Sequence, residues 1–184
     1  MNLISWLRPN NWFTFKLFYQ RIVRDYPNFR VFVELGVWKG HSLSFLAARV
    51  KHREGVKLYG VDLFERWTRP PNEQAAKELP SIYRTYDANL RKAGVRDIVT
   101  DLRGLSWEMS DRFEDRSVDF VFVDADHSYE SVKKDLLAWL PKIRKGGVFA
   151  GHDYCQPTAG VRQAVNEVLG EVKTVEGDVW MLQV

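Results

Sequence analysis

The pattern that most constrains the fold is an alternation of short apolar segments with amphipathic helical segments. The apolar segment 30–35 is followed by Leu43, Leu46, Ala47 and Val50, which share one face of a helix. Strand patterns that alternate with helices in this way are typical of parallel sheets with right-handed crossovers and helices on both faces. The sequence therefore predicts an α/β fold.

The other apolar segments extend this pattern to a Rossmann-like, doubly wound sheet of about seven strands. The end of the chain has two strand patterns in succession, and these predict an antiparallel hairpin that turns near Gly177. The predicted sheet is therefore mostly parallel, with helices on both faces and an antiparallel end. The further strand patterns lie at 56–62, 97–104, 118–127, 146–154 and 171–184.

Length and composition predict one domain, 1–184, with an aromatic helical segment at 1–27 and a cofactor-binding core at 28–184. The net charge of +3 is too small and too evenly spread to predict a nucleic-acid partner. The single cysteine, Cys155, favours a reducing compartment. No segment approaches the about 18 apolar residues of a membrane span. We therefore expect a cytoplasmic protein without stable membrane insertion.

The N-terminal segment carries an apolar stripe, because Phe15, Phe18 and Ile22 share one helical face. We expect residues 12–26 to dock across the opening of the functional site or to form a homodimer contact. A peripheral membrane role is the alternative for a basic and aromatic segment. The loop at 63–80, with Trp67, is a second candidate lid.

The turn after the first strand holds an acid and two glycines. Gly36 permits a tight turn, and Gly40 lets the backbone approach a ligand at a helix start. The spacing is GxxxG with Trp38 in the middle, which fits a pyrophosphate poorly and argues against a nicotinamide enzyme. It fits an amino-acid group better, with Glu34 for the ammonium and the helix start and Ser42 for the carboxylate.

A second strand ends in Asp62, the usual position for a carboxylate that accepts hydrogen bonds from ribose hydroxyls. Ribose and an amino-acid group together suggest S-adenosylmethionine. The alternative is a strand–turn–helix unit with ordinary surface acids.

A second cluster of polar residues follows the fourth and fifth strands. Asp124, Asp126 and His127 follow one strand, and His152 and Asp153 follow the other. Because adjacent strands are about 4.8 Å apart, these side chains can meet at one small site, where they need a cation or hydrogen-bond donors. The alternative is that the two acids after the fourth strand cap the next helix and that His152 bonds to backbone.

The segment "VELGVWKGHS" (33–42) closely resembles the cofactor motif of class I S-adenosylmethionine-dependent methyltransferases. The order of motifs over about 28–184 is similar to that of the catechol O-methyltransferase-like enzymes and the macrocin-type sugar O-methyltransferases. The resemblance implies methyl transfer from S-adenosylmethionine to a hydroxyl oxygen of a small molecule or sugar. A cofactor-binding protein without transferase activity is the alternative. The implied cofactor residues are Glu34, Gly36, Gly40, Ser42, Asp62, Ser106, Trp107 and Asp124. Ser106 could also serve as the N-cap of a helix that follows the third strand.

The same resemblance implies a divalent metal and a catalytic base. Asp124, His152 and Asp153 match the metal positions of the metal-dependent enzymes in the family. The departure is His152, since imidazole is a poorer ligand for Mg²⁺ and a better one for Mn²⁺. The position of the catalytic base in the sugar enzymes corresponds to Asp126, and its position in the catechol-like enzymes corresponds to His127. Both residues remain candidates for the base.

Overall fold

The computed structural model describes residues 12–66, 73–154 and 160–184, and these residues form one seven-stranded sheet with helices on both faces. The strands are β1 (Val31–Leu35), β2 (Lys57–Asp62), β3 (Val99–Arg103), β4 (Val118–Val123), β5 (Ile143–Gly151), β6 (Lys173–Glu176) and β7 (Val179–Gln183). The helices are α1 (Lys16–Asp25), α2 (His41–Val50), α3 (Glu73–Glu78), α4 (Ile82–Ala93), α5 (Tyr129–Trp139) and α6 (Gly160–Leu169). Short 3₁₀ turns at Phe64–Arg66, Leu79–Ser81, Arg96–Ile98, Glu108–Arg112 and Leu140–Lys142 join them.

The strand order is β3-β2-β1-β4-β5-β7-β6. Strands β1 to β5 pair in parallel, and β7 pairs antiparallel with both β5 and β6. The order reverses between β1 and β4, which is where ligands bind in doubly wound sheets. The predicted fold class, including the antiparallel end, is confirmed.

Successive side chains of each strand pack into different layers, as the two-residue period of a strand requires. Phe120 and Phe122 of β4 pack with the residues of α1, α2 and α4. Val121 and Val123 of the same strand pack with α5 and α6. Both faces of the central strands are therefore apolar, and polar side chains collect at the strand ends.

The N-terminal helix α1 belongs to one of these layers. Phe18, Tyr19 and Ile22 are buried, and the rings of Phe18 and Tyr19 contact Phe120 and Phe122. The apolar stripe predicted from the sequence is thus covered by the chain's own sheet, and the dimer contact stays a prediction.

Residues 1–11 and the candidate lid residue Trp67 lie outside the described residues. Among the helices that are described, none has the length and apolar character needed to cross a bilayer.

Backbone hydrogen bonds hold the carboxyl ends of the central strands together. Gly36 N donates to Val61 O over 2.8 Å, and Asp124 N donates to Leu35 O over 2.8 Å. His152 N continues the ladder beyond β5 by donating to Val123 O at 3.0 Å. The residues that follow β1, β2, β4 and β5 are therefore fixed relative to one another.

Candidate active site

A cavity of about 770 Å³ opens at the carboxyl ends of β1, β2, β4 and β5. The structure brings ten of the predicted site residues to its wall and leaves Glu34 and Gly40 outside it. The ten are Gly36, Ser42, Asp62, Ser106, Trp107, Asp124, Asp126, His127, His152 and Asp153. The first five come from the predicted cofactor site, the last four come from the predicted metal and base cluster, and Asp124 was predicted for both. One cavity therefore joins the two sites.

The glycine turn allows close backbone packing at the β1 end. Gly36 has a φ of +84°, and a Cβ on it would lie 2.1 Å from the backbone oxygen of Asp124. Gly40 has a φ of +70°, and its Cβ would lie 2.6 Å from the ring of Tyr86. Both positions therefore require glycine for conformation and for space.

Asp62 holds this turn from the end of β2. Its Oδ2 accepts from the Trp38 N–H at 2.8 Å, and its Oδ1 accepts from the Phe64 N–H at 2.7 Å. Burial raises the pKa of Asp62, and the backbone N–H groups oppose that rise. Trp38 and Phe64 both have positive φ, so the carboxylate stabilises two unusual backbone conformations while lining the cavity.

Glu34 lies behind the wall of the cavity. It is 1% exposed, Tyr19 Oη donates to its Oε2 at 2.8 Å, and Ser42 Oγ hydrogen-bonds to its Oε1. Burial raises the pKa of Glu34 to about 8. The structure therefore puts Ser42, and not Glu34, in direct reach of a ligand.

The loop after β3 forms another part of the cavity wall. Trp139 Nε1, from α5, donates to Ser106 O at 3.0 Å, and the Lys134 ammonium lies 4.8 Å from the Trp107 ring centre. The following 3₁₀ turn begins at Glu108 with Trp107 as its N-cap and has no side-chain cap. The N-cap alternative for Ser106 is therefore wrong.

Acids and imidazoles crowd the other end of the cavity. The ligand atoms of Asp124, His152 and Asp153 all lie within 4.8 Å of one another. His152 Nδ1 and His127 Nε2 each lie 3.2 Å from Asp153 Oδ2. His152 Nε2 lies 2.9 Å from Thr14 Oγ1, on the segment before α1.

The carboxylates and imidazoles of this cluster change one another's pKa values. Asp124 and Asp153 raise the pKa of His127. The same two acids raise the pKa of His152, although its burial acts in the opposite direction. Burial raises the pKa of Asp124, whereas the two histidines lower that of Asp153 despite its burial. The cluster therefore attracts protons or a cation.

Asp126 has a structural task in this region. Its Oδ1 accepts from Ser128 N at 2.7 Å, and its Oδ2 accepts from Ser131 Oγ at 3.3 Å, so it holds the turn that leads into α5. The N-cap itself is Ser128, whose side chain accepts from Ser131 N, so Asp126 supports the cap and is not the cap. Asp124 lines the cavity and does not cap α5. The alternative that His152 bonds to backbone is wrong, because its ring nitrogens lie near Thr14 Oγ1 and Asp153 Oδ2.

The segment before α1 lies at the cavity, as predicted for residues 12–26, but its side-chain partners were not predicted. Trp12 and Trp38 stack with ring centres 5.5 Å apart at the cavity, and Phe13, Thr14 and Phe15 also line it. The aromatic content of the segment was the signal for docking, but no local pattern paired Thr14 with His152.

A Rossmann-like sheet with this glycine turn and these strand-end acids defines an enzyme that uses a nucleoside-containing cofactor. The model of the methyltransferase domain family matches residues 33–154, and the chain belongs to that family. The methyltransferase class and the S-adenosylmethionine cofactor predicted from the sequence are confirmed.

Solved structures with the same fold include several O-methyltransferases. CalS11, a TDP-rhamnose 3'-O-methyltransferase of calicheamicin biosynthesis, is 21% identical with a TM-score of 0.67, over 99% of this chain and 83% of that one. TomG, an O-methyltransferase from Streptomyces achromogenes in complex with SAM, is 17% identical with a TM-score of 0.66, over 90% and 76%. An O-methyltransferase from Bacillus cereus in complex with SAH is 20% identical with a TM-score of 0.64, over 90% and 78%. No curated protein sequence gives a significant match.

Proposed function

We propose that this methyltransferase transfers the methyl group of S-adenosylmethionine to a hydroxyl oxygen of a small-molecule or sugar acceptor. The observation that carries the proposal is the single cavity that joins the glycine turn to the acid and imidazole cluster. Solved structures of the same fold that carry O-methyltransferase titles, including one for TDP-rhamnose, support it.

The cofactor end is assigned to the wall that Gly36, Ser42, Asp62 and Ser106 share. Asp62 is the candidate for the ribose, because its carboxylate lies at the end of β2 on the cavity wall, where ribose hydroxyls can donate to it. Ser42, at the start of α2, is the candidate for the amino-acid end. When bound, the cofactor supplies an electrophilic methyl group.

The acceptor end is assigned to the cluster after β4 and β5. His127 is a better candidate for the base than Asp126, because its side chain is half exposed and is not engaged in hydrogen bonds at the start of α5. Asp126 uses both carboxylate oxygens at the start of α5. Neutral His127 takes the proton from the acceptor hydroxyl as the oxygen becomes nucleophilic.

The donor set of Asp124, His152 and Asp153 fits a divalent metal. Two carboxylates and one imidazole converge, and the second nitrogen of His152 has Thr14 as a partner, as metal-bound histidines require. A metal there would orient acceptor oxygens and lower the pKa of the hydroxyl. The imidazole makes Mn²⁺ a better match than Mg²⁺.

The test is transfer of labelled methyl from S-adenosylmethionine to a panel of hydroxylated acceptors that includes nucleotide sugars and catechols. We expect product with at least one acceptor, loss of turnover with chelator, and recovery with Mn²⁺ at least as good as with Mg²⁺. Cofactor binding without transfer to any acceptor would favour a binding protein instead. Turnover that persists in the presence of chelator would show that no metal is needed for the reaction. The catalytic base alone would then remain in the proposed mechanism.

A further inference from the structure

Three side chains form a closed hydrogen-bonded set behind the cofactor end of the cavity. Tyr19 from α1, Glu34 from β1 and Ser42 from α2 make up this set, which we call the Tyr19–Glu34–Ser42 relay. Tyr19 is fully buried and Glu34 is 1% exposed, while Ser42 reaches the cavity wall. The relay thus connects the N-terminal helix, through one buried carboxyl, to a group that faces the ligand.

The number of hydrogens in the relay decides what Ser42 offers to the cavity. If Glu34 is ionised, the hydroxyls of Tyr19 and Ser42 must both donate to it. Ser42 then has only lone pairs left for a ligand. If Glu34 is neutral and carries its proton on Oε1, it donates to Ser42 Oγ, and the Ser42 hydrogen is free to point into the cavity.

The surroundings of Glu34 favour its neutral form. Burial, together with the charges of Asp124 and Asp62, raises its pKa to about 8. The hydrogen bonds from Ser42 and Tyr19 act in the opposite direction, but the net pKa stays raised. The titratable groups that act on Glu34 or respond to it from the neighbouring elements are Tyr19, Asp62, Tyr86 and Asp124.

We propose that neutral Glu34, held by Tyr19, donates to Ser42 and so presents the Ser42 hydroxyl to the cavity as a donor for the carboxylate of the cofactor. This inference rests on the proposed function, since it concerns the same cofactor end. Tyr19 lies outside the matched segment 33–154, and it becomes a positioning residue for cofactor binding. Glu34 is then also a positioning residue and not a ligand for the ammonium.

The variant Glu34→Gln imitates the neutral acid. Its amide oxygen accepts from Tyr19 and its amide nitrogen donates to Ser42, and neither group titrates. The matched control is Tyr83→Phe, because Tyr83 also donates to a carboxylate, Asp101, at 2.9 Å, but does not line the cavity.

The measurement is calorimetric affinity for S-adenosylhomocysteine from about pH 6.5 to about pH 9.5. The amino group of the ligand also titrates toward the upper end of this range, and it does so with every variant, so the readout is the difference from Glu34→Gln. We expect the wild type to match Glu34→Gln at the low end. As pH rises through the pKa of Glu34, about 8, the wild type should become about tenfold weaker than the variant.

Two further variants locate the effect in the relay. Tyr19→Phe removes a donor that stabilises ionised Glu34, so the loss of affinity should move to higher pH. Ser42→Ala should bind about tenfold more weakly at low pH and show no pH-dependent difference. Tyr83→Phe should keep the wild-type profile.

Two results would overturn the proposal. One is a wild-type profile that runs parallel to that of Glu34→Gln over the whole range. The other is a wild type that binds more tightly than the variant as pH rises, because ionised Glu34 would then act as a counter-charge for the ammonium. If no variant and no wild type binds S-adenosylhomocysteine, the proposed function itself fails, and this result is distinct from both.

Discussion

The two ends of the cavity are built in different ways. At the cofactor end, the polar groups are largely satisfied within the chain: Glu34 bonds to Tyr19 and Ser42, and Asp62 bonds to two backbone N–H groups. At the acceptor end, Asp124, His127, His152 and Asp153 face one another at 3.2 to 3.9 Å. The cofactor end is preformed, whereas the acceptor end keeps charge that a proton, a metal or a substrate must balance.

This difference follows from where each end lies in the sheet. Glu34 belongs to the central strand β1 and is covered by α1 and α2, so its environment is complete in the folded chain. The acceptor-end residues follow the last residue of β4 or β5 and meet the opening. Preformed sites bind with little rearrangement, and crowded titratable groups provide the chemistry.

The largest effect on activity should come from Asp124→Asn. This variant tests whether the acceptor end can lose a charge while the cofactor end still binds its ligand. We expect turnover to fall about 10³-fold, because the variant removes a metal ligand and the partner of His127. Affinity for S-adenosylhomocysteine should stay close to that of wild type. Steady-state kinetics and calorimetry check both. Asp115→Asn, which alters an exposed ion pair with Lys142, is the control and should change neither.

Gly36→Ala tests the close packing between the cofactor end and the acceptor end of the cavity. The new methyl group would clash with the backbone of Asp124. Together with the positive φ, this clash should lower the free energy of unfolding by about 3 kcal/mol. Thermal denaturation measures the loss. Gly55→Ala is the matched control, because Gly55 also has a positive φ, of +69°, but nothing lies within 4 Å of its Cβ. Equal losses in both variants would contradict the close packing at Gly36.

His127→Gln tests the proton transfer at the acceptor end. The base acts when neutral, and Asp124 and Asp153 raise the pKa of His127 above its ordinary value. Turnover in the wild type should therefore rise with pH as His127 loses its proton. The variant should lack this rise and turn over about a hundredfold more slowly. A pH–rate profile decides, with the exposed His52→Gln as control. A rise that persists in His127→Gln would show that His127 is not the base.

The smallest effect should come from Thr14→Val, which removes the partner of His152 Nε2 but keeps the side-chain shape. A metal-bound histidine that loses such a partner binds the metal about tenfold more weakly. Activity titrated with Mn²⁺ should shift by that factor, whereas cofactor affinity should not. Thr100→Val, at an exposed position of β3, is the control. Unchanged Mn²⁺ dependence would show that Thr14 only closes the cavity.

Much of the fold and the composition of the cavity could be predicted from the sequence. The period of the apolar residues fixes each strand and helix, and parallel strands carry the residues after them to one edge of the sheet. Asp62 and Asp124 could be placed for this reason alone. The buried face of α1 could also be predicted, because Phe18 and Ile22 are four residues apart and so lie on the same side of the helix.

The partners of the site residues could not be predicted in the same way. Tyr19 and Thr14 contact Glu34 and His152 across long stretches of chain, and no local period encodes such a contact. The role predicted for Glu34, contact with the ammonium of the ligand, could not be tested from the sequence, because the pattern of a strand-end acid is the same whether or not a helix covers it. Side-chain hydrogen bonds depend on how layers pack, and this information is distributed over the whole sequence.

The position of β7 has a consequence for how the molecule is made. This strand lies between β5 and β6 and buries Trp180 against Phe149. During synthesis, β5 leaves the ribosome before its neighbour β7 exists, so one edge of an apolar strand has no hydrogen-bonding partner for that time. The order of translation thus leaves the nascent chain with an unpaired strand edge that can bind other chains. This edge is covered only when β7 inserts between β5 and β6.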